Sequence, residues 1–181
     1  MKALIICGSR KGGFTSEICD SFSEGLALHD VDSDIVFPID MEIGHCTGCG
    51  KCSKDGKCII RDEMDEIYKA FGEADILVLA SPIHFSGPSS SVKTVIDRFQ
   101  TLWFKKSDHP AWVTALLNGG GKTPNFNNSL SIFKSLGITS GMKWLGHLEI
   151  PDTDNKRTND VMGLSKDFGQ KIGSAVREVK K

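Results

Sequence analysis

The sequence lacks any long apolar run and any cluster of basic residues. No stretch of its 181 residues approaches the length needed to cross a bilayer, and the apolar start, residues 1–6, is too short for the core of a secretion signal. Lysine and arginine number 22 against 23 aspartate and glutamate, which gives a formal net charge of -1. With no basic run to follow a phosphate backbone, we expect neither nucleic acid nor a membrane as partner.

The motifs of several enzyme classes are also missing. The chain has no GxGxxG fingerprint, and Gly121-Lys122-Thr123 does not complete a Walker A loop because Leu116 stands where that motif requires glycine. It has no HExxH, no Ser-His-Asp arrangement and no obvious carboxylate pair, so hydrolysis lacks a site. Internal repeats, low-complexity tracts and linkers are missing as well, and we predict one domain over residues 1–181.

Cysteine is scarce for a disulfide scaffold but unevenly placed. Four of the six cysteines fall within thirteen residues, 46–58. Such crowding favours a metal or redox role in a reducing compartment, and we predict a cytoplasmic protein. Cys7, on an apolar strand, and Cys19, on a helix, are expected to be buried structural residues.

Strand and helix patterns alternate along the chain. Short apolar runs predict strands at 3–7, 35–39, 76–80, 112–117 and 142–148. Helical spacing predicts helices that begin near Thr15 and Ser16 and near Asp62, and further helices at 92–99, 129–136 and 161–176. Crossover helices join parallel neighbours, so the predicted fold is α/β with a doubly wound, five-stranded parallel sheet.

Unusual loops follow the first, third and fourth predicted strands. They cover residues 8–16, 81–91 and 118–123. In open α/β sheets, ligands bind beyond the carboxyl ends of the strands, where strand order reverses. The three loops are therefore predicted to line one crevice.

The first of these loops has the composition of a phosphate site. Residues 8–16 combine two cations, flexible glycines and the hydroxyls of Thr15 and Ser16 at a helix start, which suits a phosphate held by free backbone N–H groups. The alternative is an ordinary strand-to-helix turn in which Thr15 and Ser16 only cap the helix.

The clustered cysteines, Cys46, Cys49, Cys52 and Cys58, form the pattern CxxCxxCxxxxxC. Gly48, Gly50 and Gly56 permit the tight turns that bring neighbouring thiolates to one centre. Thiolates select iron-sulfur clusters or zinc. The compact spacing favours a 4Fe-4S cluster over paired zinc knuckles, with a structural zinc knot for assembly or partner binding as an alternative.

Three segments carry a resemblance to a known family. They are GSRKGGFT at 8–15, SPIHF at 81–85 and KTVIDR at 93–98. In this order and context the chain resembles the NADPH-dependent FMN reductases, and more narrowly the iron-sulfur flavoprotein branch of that flavodoxin-like family. The resemblance is sharpest over residues 1–99.

The resemblance implies a set of FMN-binding residues. The phosphate end would be held by Ser9, Arg10, Lys11, Gly13, Phe14, Thr15 and Ser16. The flavin ring would be bordered by Pro82, Ile83, His84, Phe85 and Ser86 on one side, and by Asn118, Gly119, Gly120 and Gly121 on the other. The family usually has Asn at the position of Phe14 and Tyr at the position of His84.

The resemblance also implies the reaction. FMN and a 4Fe-4S cluster on Cys46, Cys49, Cys52 and Cys58 would carry electrons between a donor, NAD(P)H or a ferredoxin-type protein, and an acceptor. No catalytic side chain is expected, because the flavin carries the chemistry. One alternative is an FMN-binding electron carrier without its own substrate; another is an FMN reductase whose cysteine loop binds no cluster, as in some relatives.

Family members commonly associate, and a homodimer or homotetramer is expected. Trp103, Phe104 and Trp112 are candidates for either core or subunit contacts. Asp97 and Arg98 are predicted to form a local or intersubunit salt bridge.

Overall fold

The computed structural model describes residues 1–105, 108–155 and 159–179, and only the backbone at 159 and 160. Its strands are β1 (Lys2–Cys7), β2 (Asp32–Val36), β3 (Ile76–His84), β4 (Gly87–Pro88), β5 (Trp112–Asn118) and β6 (Lys143–Ile150). Its helices are α1 (Phe14–Ala27), α2 (Met64–Glu73), α3 (Ser90–Arg98), α4 (Thr101–Phe104), α5 (Asn127–Ser140) and α6 (Asn159–Val179).

Five strands form one parallel sheet in the order β2-β1-β3-β5-β6. The predicted doubly wound five-stranded sheet is confirmed. The two-residue β4 is an addition that pairs antiparallel with the end of β3. Between β1 and β3 the order of strands reverses, so the ligand-binding crevice of such folds belongs beyond the ends of these two strands.

A hydrophobic core covers each face of the sheet. On one face α1 and α6 pack through Phe22, Leu26, Ile172 and Val176. The other face is covered by α2, α3 and α5, whose buried residues are Met64, Ile67, Phe71, Val92, Val95, Leu130, Phe133 and Leu136. Strands buried on both faces need no polar residues, which explains the apolar runs of β1, β3 and β5.

Two strands differ from their predicted bounds by three residues or more. The second strand was expected at 35–39 but runs from Asp32 to Val36, and Pro38 begins a 3₁₀ turn instead. Because β2 is an edge strand, it alternates exposed and partly buried residues and lacks an apolar run. The third strand continues four residues beyond its predicted end at 80, because residues 81 and 82 pair with β5 and residues 83 and 84 pair with β4.

The three aromatic residues predicted as core or subunit contacts divide between core and surface. Trp112 is buried on β5, whereas Trp103 and Phe104 on α4 are exposed. Cys7 and Cys19 are fully buried, as predicted. In the part of the chain that the structure describes, no helix has both the length and the apolar character to cross a membrane.

Candidate functional site

The three predicted loops leave the sheet at the same edge. Register pairs Cys7 with Ala80 and Pro82 with Asn118, so the ends of β1, β3 and β5 are neighbours. The amide of Gly8 donates to the carbonyl of Ala80 (2.8 Å), which continues the pairing past the end of β1. A Cβ at Gly8 would collide with the Ser89 hydroxyl, so this close approach requires glycine.

The loop after β1 turns directly into α1. The amide of Gly13 donates to the carbonyl of Arg10 (3.0 Å), and Gly13 is the N-cap, with no capping side-chain hydrogen bond among the described residues. The predicted cap by Thr15 or Ser16 is therefore wrong, because both residues lie inside the helix. An N-terminus without a side-chain acceptor leaves first-turn amides for an anion, and the neighbouring Arg10 and Lys11 are exposed.

The hydroxyl of Thr15 joins two of the loops. It donates to Asn118 Oδ1 at 2.8 Å, and both residues are buried. Ser16 beside it is also buried, whereas Ser9 is partly exposed and donates to the carbonyl of Arg10 at 3.2 Å. Thr15 thus fastens the loop after β1 to the end of β5.

The SPIHF segment is the end of β3 and the tip of a tight hairpin. His84 pairs with Gly87, and the two residues between them, Phe85 and Ser86, have φ of 49° and 64°. Two successive positive φ values are the mark of a type I′ hairpin, which usually uses Asn and Gly. Phe85 is fully exposed at this tip, and Ile83 packs against the core.

The glycine loop after β5 is held by backbone hydrogen bonds to the chain beyond β6. Gly119 donates to the carbonyl of Ile150 and accepts from Thr153, each at 3.0 Å, and the carbonyl of Gly121 accepts from Asp152 at 2.8 Å. These hydrogen bonds fix the position of the glycine loop against the chain that follows β6.

All four clustered cysteines line one cavity of about 270 Å³. Each is a free thiol, and Gly48, Gly50 and Gly56 around them have positive φ, as the predicted tight turns require. Arg98 and Phe104 line the same cavity, but no residue of the three loops does. The cysteines therefore have a cavity of their own, and within the described residues the thiols do not converge closely enough to count as a preformed metal site.

The electrostatics of the cysteine cavity differ between thiols. Burial, together with the nearby Cys58, Cys46 and Cys49, raises the pKa of Cys52. Cys49 has a lowered pKa because the backbone amide of Lys51 and the hydroxyl of Thr47 favour its thiolate. Thiols that influence one another in this way lie within electrostatic range.

Arg98 is the residue whose role the sequence did not reveal. It pairs with Asp62 rather than with the adjacent Asp97, which instead pairs with Lys93 (2.6 Å). The predicted Asp97–Arg98 salt bridge is therefore wrong, because neighbours in a helix point in different directions. The available signal was position: Arg98 follows Val95 by three residues, on the helix face that carries the core.

Comparison with known proteins settles the family. Residues 1–140 match the family model described as NADPH-dependent FMN reductase. The chain belongs to the NADPH-dependent FMN reductase family. It is therefore an FMN-dependent oxidoreductase, as predicted.

Relatives and solved structures agree with this membership. The chain is 30% identical to an iron-sulfur flavoprotein of Methanocaldococcus jannaschii in an alignment of 193 positions, which covers 100% of both chains. Its fold is similar to that of a flavone reductase, with a TM-score of 0.77 at 17% identity over 99% of this chain and 64% of the other. An FMN-dependent NADH-azoreductase from Bacillus anthracis in complex with FMN gives 0.70 at 15% identity, over 97% and 99% of the two chains.

The residues of the reductase fit both groups that the sequence predicts. For an FMN phosphate, the N-terminus of α1 has no side-chain cap among the described residues, and Lys11 lies beside it. For a 4Fe-4S cluster, the cavity offers four free thiols, and the Nε of Arg98 is buried without a hydrogen-bond partner in the described part of the chain.

Proposed function

We propose that this FMN-dependent oxidoreductase moves electrons between a donor, NAD(P)H or a ferredoxin-type protein, and an acceptor, through FMN at the carboxyl edge of the sheet and through a 4Fe-4S cluster on its cysteine segment. The observation that carries the proposal is the bond from Thr15 to Asn118, which joins the loop after β1 to the loop after β5. This contact lies at the edge where doubly wound folds bind their ligands.

The phosphate of FMN would lie at the start of α1. The first-turn amides and the hydroxyls of Ser9 and Ser16 would donate to it, and Arg10 and Lys11 would supply positive charge. Thr15 would hold the loop in place through Asn118. Gly13 and Phe14 complete the proposed phosphate segment.

The flavin ring would lie between the other two loops. Pro82, Ile83, His84, Phe85 and Ser86 would border one side and Asn118, Gly119, Gly120 and Gly121 the other. Support comes from the register of β3 and β5, which places Pro82 beside Asn118. The exposed ring of Phe85 would offer apolar surface to the flavin ring.

Bound FMN supplies hydride and single-electron transfer, so the polypeptide binds, orients and sets the potential. For this reason we propose no catalytic acid, base or nucleophile. His84 would place a titratable ring at the flavin edge, where family members usually have Tyr.

Cys46, Cys49, Cys52 and Cys58 would hold the cluster. Four cysteine thiolates are the usual ligand set of a 4Fe-4S cluster, and the bound cluster would supply single-electron transfer. The proposal is supported by the shared cavity and by the name of the Methanocaldococcus relative, an iron-sulfur flavoprotein.

Anaerobic purification tests both cofactors together. We expect FMN bound to the chain, with iron and acid-labile sulfide in equal amounts, and a loss of the iron in Cys49→Ala with FMN retained. The control Cys19→Ala changes a buried cysteine outside the motif and should keep the iron. Zinc in place of iron would support the structural zinc knot, no metal would leave an FMN reductase without a cluster, and refusal of FMN would reject the redox function.

Steady-state assays separate the enzyme from the electron carrier. We expect NADPH, NADH or reduced ferredoxin to drive turnover of the FMN-loaded protein with a small acceptor. Slow turnover with every small acceptor, combined with fast exchange with a protein partner, would identify the electron carrier instead.

We also propose self-association as a homodimer or homotetramer. The exposed Trp103 and Phe104 provide apolar surface for such contacts, with 68% and 46% of their surface accessible. Light scattering coupled to size-exclusion chromatography measures the subunit number directly, and a monomer at all concentrations would contradict the proposal.

A further inference from the structure

Arg98, at the end of α3, is a completely buried guanidinium. Its side chain has 0% of its surface accessible, and the acidic partner Asp62 has 13%. A buried charge is costly unless it is paired and its hydrogen-bond donors are satisfied. The complete burial of this charge therefore calls for a specific role.

Two nitrogens of Arg98 fasten both ends of the cysteine segment. Nη1 donates to the carbonyl of Gly44 (2.8 Å) and to Asp62 Oδ2 (2.6 Å). Nη2 donates to the carbonyl of Ile60 (3.2 Å) and to Asp62 Oδ1 (3.1 Å). Gly44 precedes the first clustered cysteine by two residues, and Ile60 follows the last by two.

Asp62 also bonds to both ends of the cysteine segment. Its Oδ2 accepts the amide of Gly44 at 2.9 Å, and its Oδ1 accepts the amide of Met64 at 3.1 Å. Burial alone would raise the pKa of Asp62, but the hydrogen bonds from Arg98, Gly44 and Met64 lower it overall. The carboxylate therefore stays charged and links the start of the segment, its end and α3.

The third nitrogen of Arg98, Nε, gives evidence of a ligand that does not depend on the hydrogen bonds of the other two. Nε is buried and has no hydrogen-bond partner within the described residues. Such a donor is expensive to bury, and the residue lines the cavity that holds Cys46, Cys49, Cys52 and Cys58. A positive group with an unused N–H at this wall suits the anionic sulfurs of a cluster.

We propose that Arg98 is a positioning residue for the 4Fe-4S cluster: it holds the two ends of the cysteine segment together and sets positive charge and an unpaired Nε–H beside the cluster sulfurs. This inference rests on the proposed function. Reduction makes a cluster more negative, and hydrogen bonds and charge near its sulfurs govern the potential. The wild-type cluster should consequently be easier to reduce than one without Arg98.

The test compares Arg98→Gln and Arg98→Lys with the wild type, all purified without air. Arg98→Gln removes both the positive charge and the planar guanidinium. Arg98→Lys keeps the charge, but a single ammonium group cannot bond Asp62, Gly44 and Ile60 together. We expect iron per chain to fall at least twofold in both variants, with FMN content kept as evidence of folding. The midpoint potential of the remaining cluster should be more negative in Arg98→Gln than in the wild type, and closer to the wild-type value in Arg98→Lys.

The matched control is Asp97→Asn, which changes a charge one residue away on the same helix, in an exposed pair with Lys93. It should keep both the iron content and the potential. If Arg98→Gln does not fold, the iron content of Arg98→Lys tests the inference by itself.

Two results would overturn the inference while leaving the proposed function intact. One is full iron in Arg98→Lys. The other is an unchanged potential in a folded Arg98→Gln. Lack of iron in the wild type is a different outcome, since it would remove the cluster itself.

Discussion

The hydroxyl of Thr15 joins two loops of the proposed FMN site. Its bond to Asn118 Oδ1 is buried and spans 103 positions of sequence. We expect Thr15→Val to cost about 1–3 kcal/mol of unfolding free energy, because the buried Oδ1 of Asn118 would lose its donor. FMN binding should weaken as well, since the two loops are no longer joined.

Urea denaturation and fluorescence titration with FMN measure the two effects of Thr15→Val. Thr15→Ser is the control, because it keeps the hydroxyl and should keep most of both quantities. Equal stability of the Val variant and the wild type would show that the bond contributes nothing.

Tyr68 is the single tyrosine of the chain, so its titration can be followed directly by absorbance. Burial raises the pKa of Tyr68 to about 12 from its ordinary 10.0, and its hydroxyl donates to the carbonyl of Arg98 at 2.6 Å. The phenol therefore ionises more readily in the unfolded chain, and stability should fall as pH rises from 10.0 toward 12. Tyr68→Phe should lack this part of the pH dependence, and a tyrosine midpoint at 10.0 in the folded protein would contradict the burial argument.

The hairpin formed by β3 and β4 has a strained backbone at its tip. Phe85 and Ser86 both adopt positive φ, which costs non-glycine residues of order 1–3 kcal/mol each. We expect the double change Phe85→Asn with Ser86→Gly to raise the unfolding free energy by about 1–2 kcal/mol, because it supplies the preferred type I′ pair. The loss of Phe85 itself should cost little stability, since its side chain is fully exposed.

The same double change should weaken FMN binding if Phe85 borders the flavin ring. Ser86→Gly alone is the matched control, because it relieves one strained position and keeps the aromatic ring. Thermal unfolding and FMN titration of the two variants separate strain from contact. Unchanged FMN affinity in the double variant would remove Phe85 from the site.

Periodicity revealed most elements, but not the details that tertiary contacts decide. The apolar runs of β1, β3 and β5 are visible because these strands are buried on both faces. The edge position of β2, the hairpin at β4 and the pairing of Arg98 with Asp62 depend on contacts distant in sequence, which local pattern does not encode. Composition predicted a phosphate loop over residues 8–16, but it did not predict the hydrogen bond from Thr15 to Asn118.

The topology of the sheet and its helices separates the two proposed sites. The strand reversal between β1 and β3 gathers three loops at one edge, whereas α3 holds the cysteine segment through Arg98 in a cavity apart from them. FMN binding and iron content should therefore respond to different substitutions. Changes near Lys11 should affect flavin, and changes near Arg98 should affect iron.

The start of α1 is proposed to bind phosphate, and linkage to unfolding tests this on the whole protein. A ligand that binds only the folded state stabilises it by about 2.7 kcal/mol when its concentration is about 100 times Kd. We expect FMN to raise the thermal midpoint more than riboflavin, which has the same ring but no phosphate. Lys11→Ala should reduce this difference in thermal midpoint, because it weakens the binding of FMN but not of riboflavin. Lys143→Ala should preserve the difference, because Lys143 begins β6 and so lies at the amino ends of the strands, away from the proposed FMN site. Equal stabilisation by FMN and riboflavin in the wild type would mean that the loop after β1 does not bind the phosphate, and the proposed cofactor orientation would have to be abandoned.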